Sequence, residues 1–387
     1  MRWWRVVLLL VGCVASAFAP RFSRCGKDSI GNVGSPLGVC CRAIQLTVRG
    51  DGFGFCGTTS EFCNDECQSG CEEVERPSCD AHTDVMKPQR RVAYYKMFNL
   101  VERNCDKFIP EHIPAGGLSH LDLAFATITE DFEMNEADAD IVTRAANLKD
   151  RFDGLRVNIA IRGWAFNDGN TAHIWSDLVA DYGNTQTFLD SLVAYLKKYG
   201  LDGVDLGWQY PVAEDRGGVD ESYDNYVVFV SRLRERFDQE NPGWEISLTL
   251  PASYLYLRGF YLENLQKHIT YFNLMSYDFH GLWDQHNDWT GPYLKGHTNL
   301  TEAKQNVVMG FGFYGRSFTK LDANCYDPNA GCQFSTSGLP GDCSDTAGIL
   351  TYAEIQSGNE PLTDTYYDKE STKKYMTYLS DRWIIRW

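Results

Sequence analysis

Asp202-Gly203-Val204-Asp205-Leu206-Gly207-Trp208-Gln209-Tyr210-Pro211 is the stretch on which the fold of this chain turns. Side chains of a β-strand alternate between its two faces, so positions 205, 207 and 209 point the same way. A strand with carboxylates on such alternate rungs would aim them together into one cavity. Here the first rung carries Asp205, but the next two carry Gly207 and Gln209. Gln is nearly isosteric with Glu and hydrogen-bonds well, yet it has no ionisable proton to give.

The string resembles the D-G-x-D-x-D-x-E-Y-P signature of glycoside hydrolase family 18, the chitinases, with two of its acids replaced. Most glycosidases work with a pair of carboxyl groups, and this family is an exception that uses substrate assistance. The resemblance implies that the substrate's acetamido oxygen attacks the anomeric carbon. A Glu at the position of Gln209 would protonate the leaving oxygen, and an Asp at the position of Gly207 would orient and stabilise the acetamido group. General-acid catalysis contributes ~10²–10⁴ in rate, and stabilisation of developing charge is often the larger effect. Loss of hydrolysis with survival of sugar binding is therefore expected, and no residue is expected to be catalytically functional.

The 387 residues, 43% of them hydrophobic, suffice for one large domain and a small one. A net charge of −16 argues against nucleic acid or an anionic membrane as partner. Residues 1–19 read as a secretory signal: Arg2 and Arg5, an apolar run over 6–14, then Ala17-Phe18-Ala19. No other stretch is long and apolar enough to span a bilayer. Thirteen cysteines include Cys13 in that signal, eight between Cys25 and Cys79, and Cys105, Cys325, Cys332 and Cys343. Two even groups suit an oxidised extracellular protein, and their spacing is not that of a zinc site, so no metal and no cofactor is expected.

Residues 25–71 are rich in Cys and Gly and too short to hold a core without staples. Cys40-Cys41, the run Phe53-Gly54-Phe55-Cys56-Gly57 through Phe62-Cys63, and Cys67-Gln68-Ser69-Gly70-Cys71 resemble a hevein-type chitin-binding module. The resemblance implies that Cys25 joins Cys41, Cys40 joins Cys63 and Cys67 joins Cys71. It also places Phe53, Phe55 and Phe62 on the aromatic face that stacks on N-acetylglucosamine rings. The second cysteine of that module has no counterpart near Gly34, which leaves Cys56 without its usual partner; Cys79 is a substitute. A disulfide-stapled spacer that no longer binds sugar is the other reading. Residues 72–90 read as a linker.

From Arg91 onward, short apolar runs alternate with amphipathic helical stretches, the pattern of a parallel α/β fold. Candidate strands cover 92–95, 120–126, 156–161, 203–206, 245–250, 271–275 and 307–313, with helices over 185–199 and 222–240 among them. This order resembles the (β/α)8 TIM-type barrel of the chitinase family, whose active sites lie at the C-terminal strand ends. Pro251-Ala252-Ser253-Tyr254, Met275-Ser276-Tyr277-Asp278 and Gly312-Phe313-Tyr314-Gly315-Arg316-Ser317-Phe318 extend the likeness over 91–387, nearest to a fungal subgroup that includes killer-toxin docking subunits. Carried over by position, Tyr277 contacts the acetamido oxygen and Asp278 the sugar hydroxyls. Asp202, Asp205, Trp164, Trp208, Tyr210, Tyr314 and Arg316 complete the expected binding groove, with Trp283 and Trp289 divided evenly between ligand and packing roles.

Other departures accompany the lost acids. Ala160-Ile161-Arg162-Gly163-Trp164 stands where the family has Ser-x-Gly-Gly, so Arg162 is expected to fill the cavity or distort its strand. A helix over 299–306 runs directly into the next strand, and Asn299-Leu300-Thr301 is a glycosylation acceptor. Residues 318–382 resemble the small α+β insertion of these chitinases. The sequence reaches Trp387 with seven candidate strands, so an open barrel or an incomplete chain is expected. Four readings follow: a secreted, silent chitin-binding protein; an active endochitinase with an unusual acid; a chitin-docking subunit that delivers a second toxin chain; and a truncated, non-functional product.

Overall fold

The computed structural model describes residues 90–387 apart from short segments, of which 298–307 and 358–364 are the longest. Of the first 89 residues only short backbone strands are described, including 40–44 paired antiparallel with 53–57. The signal segment, Phe62, the side chains of the hevein-like region including Phe53, Phe55 and its cysteines, most of the linker, Trp289, the helix over 299–306 and Asn299 lie outside the described residues.

Seven strands form a parallel sheet in strict sequence order: β1 Val92–Lys96, β2 His120–Ala126, β3 Arg156–Arg162, β4 Gly203–Gly207, β5 Glu245–Pro251, β6 Tyr271–Met275 and β7 Val308–Met309. β4 is buried at every position, as expected of a parallel strand covered on both faces. Its Val204 and Leu206 join the apolar core, and Asp205 turns to the opposite side. The same alternation sets Leu121 against Asp122 on β2 and Ile246 and Leu248 against Ser247 and Thr249 on β5.

Helices α1 Ala139–Ala146, α2 Ile174–Ala180, α3 Tyr182–Tyr199 and α4 Ser222–Glu240 cover the outer face. On α4 the buried residues Tyr226, Phe229, Val230, Leu233 and Phe237 recur at helical spacing. α3 begins three residues earlier than 185, because the Asp181 side chain accepts from Asn184 N at 2.9 Å and caps it. It ends at Gly200, whose left-handed φ of 63° closes the last turn.

The sheet is curled. β1 and β6 lie five strands apart in the ladder order, about 24 Å across a flat sheet at the usual strand spacing. Yet Asn273 Nδ2 on β6 donates to the Tyr94 hydroxyl on β1 at 2.7 Å. That bond crosses the interior of a half-barrel of the TIM type. The expected strand over 307–313 is only Val308–Met309. Beyond it, the Tyr277 ring crowds Gly310 and the Tyr314 ring crowds Gly312, where an added Cβ would meet them at 2.9 and 2.6 Å. Gly310 N still donates to Leu274 O of β6 at 2.7 Å, so these rings pack against backbone that remains tied to the sheet.

A six-stranded antiparallel sheet follows, made of β8 Tyr314–Lys320, β9 Phe334–Ser337, β10 Ile349–Thr351, β11 Thr365–Asp368, β12 Lys373–Tyr378 and β13 Arg382–Arg386. It extends past both ends of 318–382 because β8 starts at Tyr314 to pair with β10 and β13. β13 feeds two small cores, one through Trp383 and Ile385 and the other through Ile384. Disulfides join Cys325 to Cys332 and Cys105 to Cys343. The second spans 238 residues. It ties the segment after edge strand β1 to the sheet that follows edge strand β7. Replacing both Cys105 and Cys343 by Ser is expected to lower stability by about 2–4 kcal/mol, read as a fall in urea midpoint that reductant reproduces in the wild type.

Candidate functional site

Asp205 sits at the centre of the curled sheet, fully buried. Its Oδ1 accepts from Ser247 Oγ at 2.7 Å and Asn273 Nδ2 at 3.1 Å. Its Oδ2 accepts from Thr249 Oγ1 at 2.8 Å and Tyr94 OH at 2.9 Å. Donors from β1, β5 and β6 thus converge on one carboxylate of β4, which holds the half-barrel together from inside. With two donors on each oxygen, it is committed to the scaffold.

One rung further, Gly207 pairs in register with Arg162, and β3 runs through Arg162 without a break. Distortion of this strand is therefore not observed, and the Arg162 side chain lies outside the described residues. Gln209 follows at the C-terminal end and is 6% exposed. Its backbone N donates to Asn167 Oδ1 at 3.3 Å, and its Nε2 points at the Met275 sulfur at 3.3 Å. The Gln209 Oε1 is buried without a hydrogen-bond partner. Glu214 and Asp215, the next acids along the chain, are exposed on the following loop, where Asp215 accepts from Tyr256 OH at 3.2 Å.

The opposite wall is built around Asp278, turned back by a left-handed φ of 60°. Arg316 donates to its Oδ1 through Nε at 2.9 Å and NH2 at 2.8 Å, and His297 Nδ1 lies 3.6 Å away. Burial alone would raise the Asp278 pKa. The His297 contact, the Arg316 charge and the Tyr314 hydroxyl outweigh it and hold the carboxyl down at about 2. Burial, aided by the Asp278 charge, pushes the Tyr314 phenol well up. Because the folded pKa is depressed below the ordinary 3.8, the stability Asp278 contributes is present above that value and lost as pH falls through about 2. The stability advantage of wild type over Asp278→Asn is accordingly expected to shrink between pH 6 and pH 2.5 in urea titrations; an advantage independent of pH would contradict the assignment.

Aromatic side chains frame the opening. Trp164 and Trp283 are 54% and 52% exposed; the Arg316 guanidinium lies 4.9 Å from the Trp283 ring centre. Tyr210 stacks on Tyr256 at 4.3 Å and meets the edge of Trp164. Tyr277 meets Tyr314 edge-on at 6.3 Å.

Two of the expected groove residues are elsewhere. Asp202 precedes β4 at its N-terminal end, where its Oδ2 accepts from Val157 N at 2.8 Å and pairs with Lys149 at 3.0 Å. Trp208 is fully buried on the outer side, stacked on Trp175 at 5.8 Å and meeting Tyr226 at right angles. The alternation that unites 205, 207 and 209 turns 208 the other way. Sequence reading missed Met275, Asn167, His297 and Arg216 in the site. Arg216 follows Glu214-Asp215 and reads as part of a solvated charged turn, but it is 4% exposed.

A family model described as Glycosyl hydrolases family 18 matches residues 90–387. The secreted chitinase LysM12 of Penicillium expansum is 29% identical over 390 residues, covering 90% of this chain and 25% of that protein. The killer toxin subunits alpha/beta of Kluyveromyces lactis are 28% identical over 415 residues, covering 97% of this chain and 34% of that one. This chain thus spans about a quarter to a third of the length of these relatives. Catalytic domain 2 of the Group II chitinase of Ostrinia furnacalis, solved in complex with penta-N-acetylchitooctaose, shares the fold with a TM-score of 0.64 at 23% identity, over 76% of this chain and 82% of that one.

Proposed function

Because the chain belongs to glycosyl hydrolases family 18, we propose that it uses this scaffold to bind chitin or chito-oligosaccharides without hydrolysing them. The observation that carries this reading is the state of the acids around the mouth. Asp205 is consumed by four donors, and Asp278 is held ionised by Arg316 and His297. The position facing the opening holds Gln209, which has no proton to release. A general acid must lie within hydrogen-bond reach of the leaving oxygen, and Glu214 and Asp215 lie out on the exposed loop.

What remains suits a neutral sugar. Trp164 and Trp283 offer exposed rings for stacking on pyranose faces. Tyr277 and the Asp278–Arg316 pair supply directional hydrogen bonds. The two disulfides of the large domain suit an oxidising, extracellular setting. Phe53, Phe55 and Phe62 of the hevein-like region add a second chitin contact in this reading. A docking subunit that carries a second toxin chain to chitin is a further reading, favoured by the 97% of this chain that matches the killer toxin subunits.

The test is paired. Secreted protein is incubated with insoluble chitin, and bound protein and released oligosaccharide are measured in the same sample. Binding without release is expected. Release by the wild-type protein would overturn the silent-site reading, and absence of binding would overturn the sugar-binding one.

A further inference from the structure

We infer that Arg216 is the positioning residue of the sugar-binding mouth, fixing Trp164 as a stacking platform against the segment that carries Gln209. The inference rests on the binding function proposed above and adds the residue that shapes the site. Arg216 spends every arm of its guanidinium on the loops around the opening. Nε donates to Gln209 O at 3.2 Å, NH1 to Asp168 Oδ1 and NH2 to Trp164 O. Its planar head also lies over the Trp164 ring, 3.8 Å from the centre. One side chain therefore joins the loop after β3 to the loop after β4.

The geometry is that of a clamp. An Arg fork presents donors in a fixed plane and stacks on aromatic faces, which Lys does not reproduce. With the guanidinium on one face of Trp164, the ring is held open while 54% exposed, so its other face is available to a pyranose. The clamp's own backbone is set by Gly217, at a φ of 73°, where a Cβ would meet Ala172 O at 2.2 Å. Gly217 O in turn accepts from Ser176 Oγ on α2. This anchors the loop to the helical layer, so the position of Arg216 is inherited from the core.

The test uses the full chain, with Arg216→Ala, Arg216→Lys, Trp164→Ala and the Arg216→Ala/Trp164→Ala double variant. Acrylamide quenching of the Trp164 emission, isolated by difference from Trp164→Ala, is read without ligand. Affinity for chitopentaose is read by calorimetry. Arg216→Ala is expected to raise quenching of Trp164 and weaken chitopentaose binding about tenfold, with Arg216→Lys intermediate. In the double variant the losses are expected not to add, because Arg216 acts through Trp164. Additive losses, or quenching of Trp164 unchanged from wild type, would overturn the inference. Should Arg216→Ala not fold, the quenching of Arg216→Lys decides on the same criterion. Should wild-type protein fail to bind chitopentaose, the proposed function fails, and the ligand-free quenching still decides whether Arg216 holds Trp164.

Discussion

The double substitution Gly207→Asp/Gln209→Glu is expected to convert a protein with no detectable release of N-acetylglucosamine oligomers into a measurable hydrolase. A Glu in place of Gln209 would occupy a site that is 6% exposed and lies against the Met275 sulfur. Such burial disfavours the charged carboxylate and keeps the acid protonated nearer neutral pH, where a proton donor is useful. That change supplies about 10²–10⁴ in rate. The Asp at 207 restores charge stabilisation on the neighbouring inward rung, worth about 10²–10³ more. Neither alone completes the machinery, so each single variant is expected to fall far below the pair. Release from a fluorogenic chito-oligosaccharide provides the measure; a double variant as inactive as wild type would mean that more than the two acids has been lost.

Asp205→Ala is expected to destabilise the protein by several times the ~1–3 kcal/mol that one stranded buried donor costs. It strands the hydroxyls of Tyr94, Ser247 and Thr249 and the amide of Asn273, all now directed at one carboxylate. Buried donors without acceptors are destabilising in themselves. Tyr94→Phe removes one of these bonds together with the one that Asn273 Nδ2 donates to the Tyr94 hydroxyl, and is expected to lower stability by about 1–3 kcal/mol. Urea unfolding monitored by tryptophan fluorescence separates the two, and an Asp205→Ala loss no larger than that of Tyr94→Phe would show that Asp205 is not the centre of the network.

Much of the frame was legible because it obeys short-range rules. The alternation of β4, the amphipathic spacing of α4 and the strict order of the parallel strands follow from a period of two or of 3.6 residues. The rule that placed Gln209 inward also placed Trp208 outward, and the family likeness concealed it. Asp202 shows a different limit: its place in a motif does not tell which end of a strand it occupies. Arg216 was illegible because its meaning comes from Trp164, Asp168 and Gln209, which loop closure brings to it from as far as 52 residues away. The early end of β7 was hidden for a related reason. The Gly310 and Gly312 backbone yields to the rings of Tyr277 and Tyr314, and no local propensity records that.

The Cys105–Cys343 bond also determines what a protease can do to this molecule. With its ends 238 positions apart in sequence, it turns most of the large domain into a covalent ring. A single cut anywhere within that ring opens it without releasing a piece. The nicked protein would keep its mass on a non-reducing gel and fall into two fragments only after reduction. In an oxidising medium rich in peptidases, clipping a surface loop would thus leave the Trp164 and Arg316 walls on one molecule.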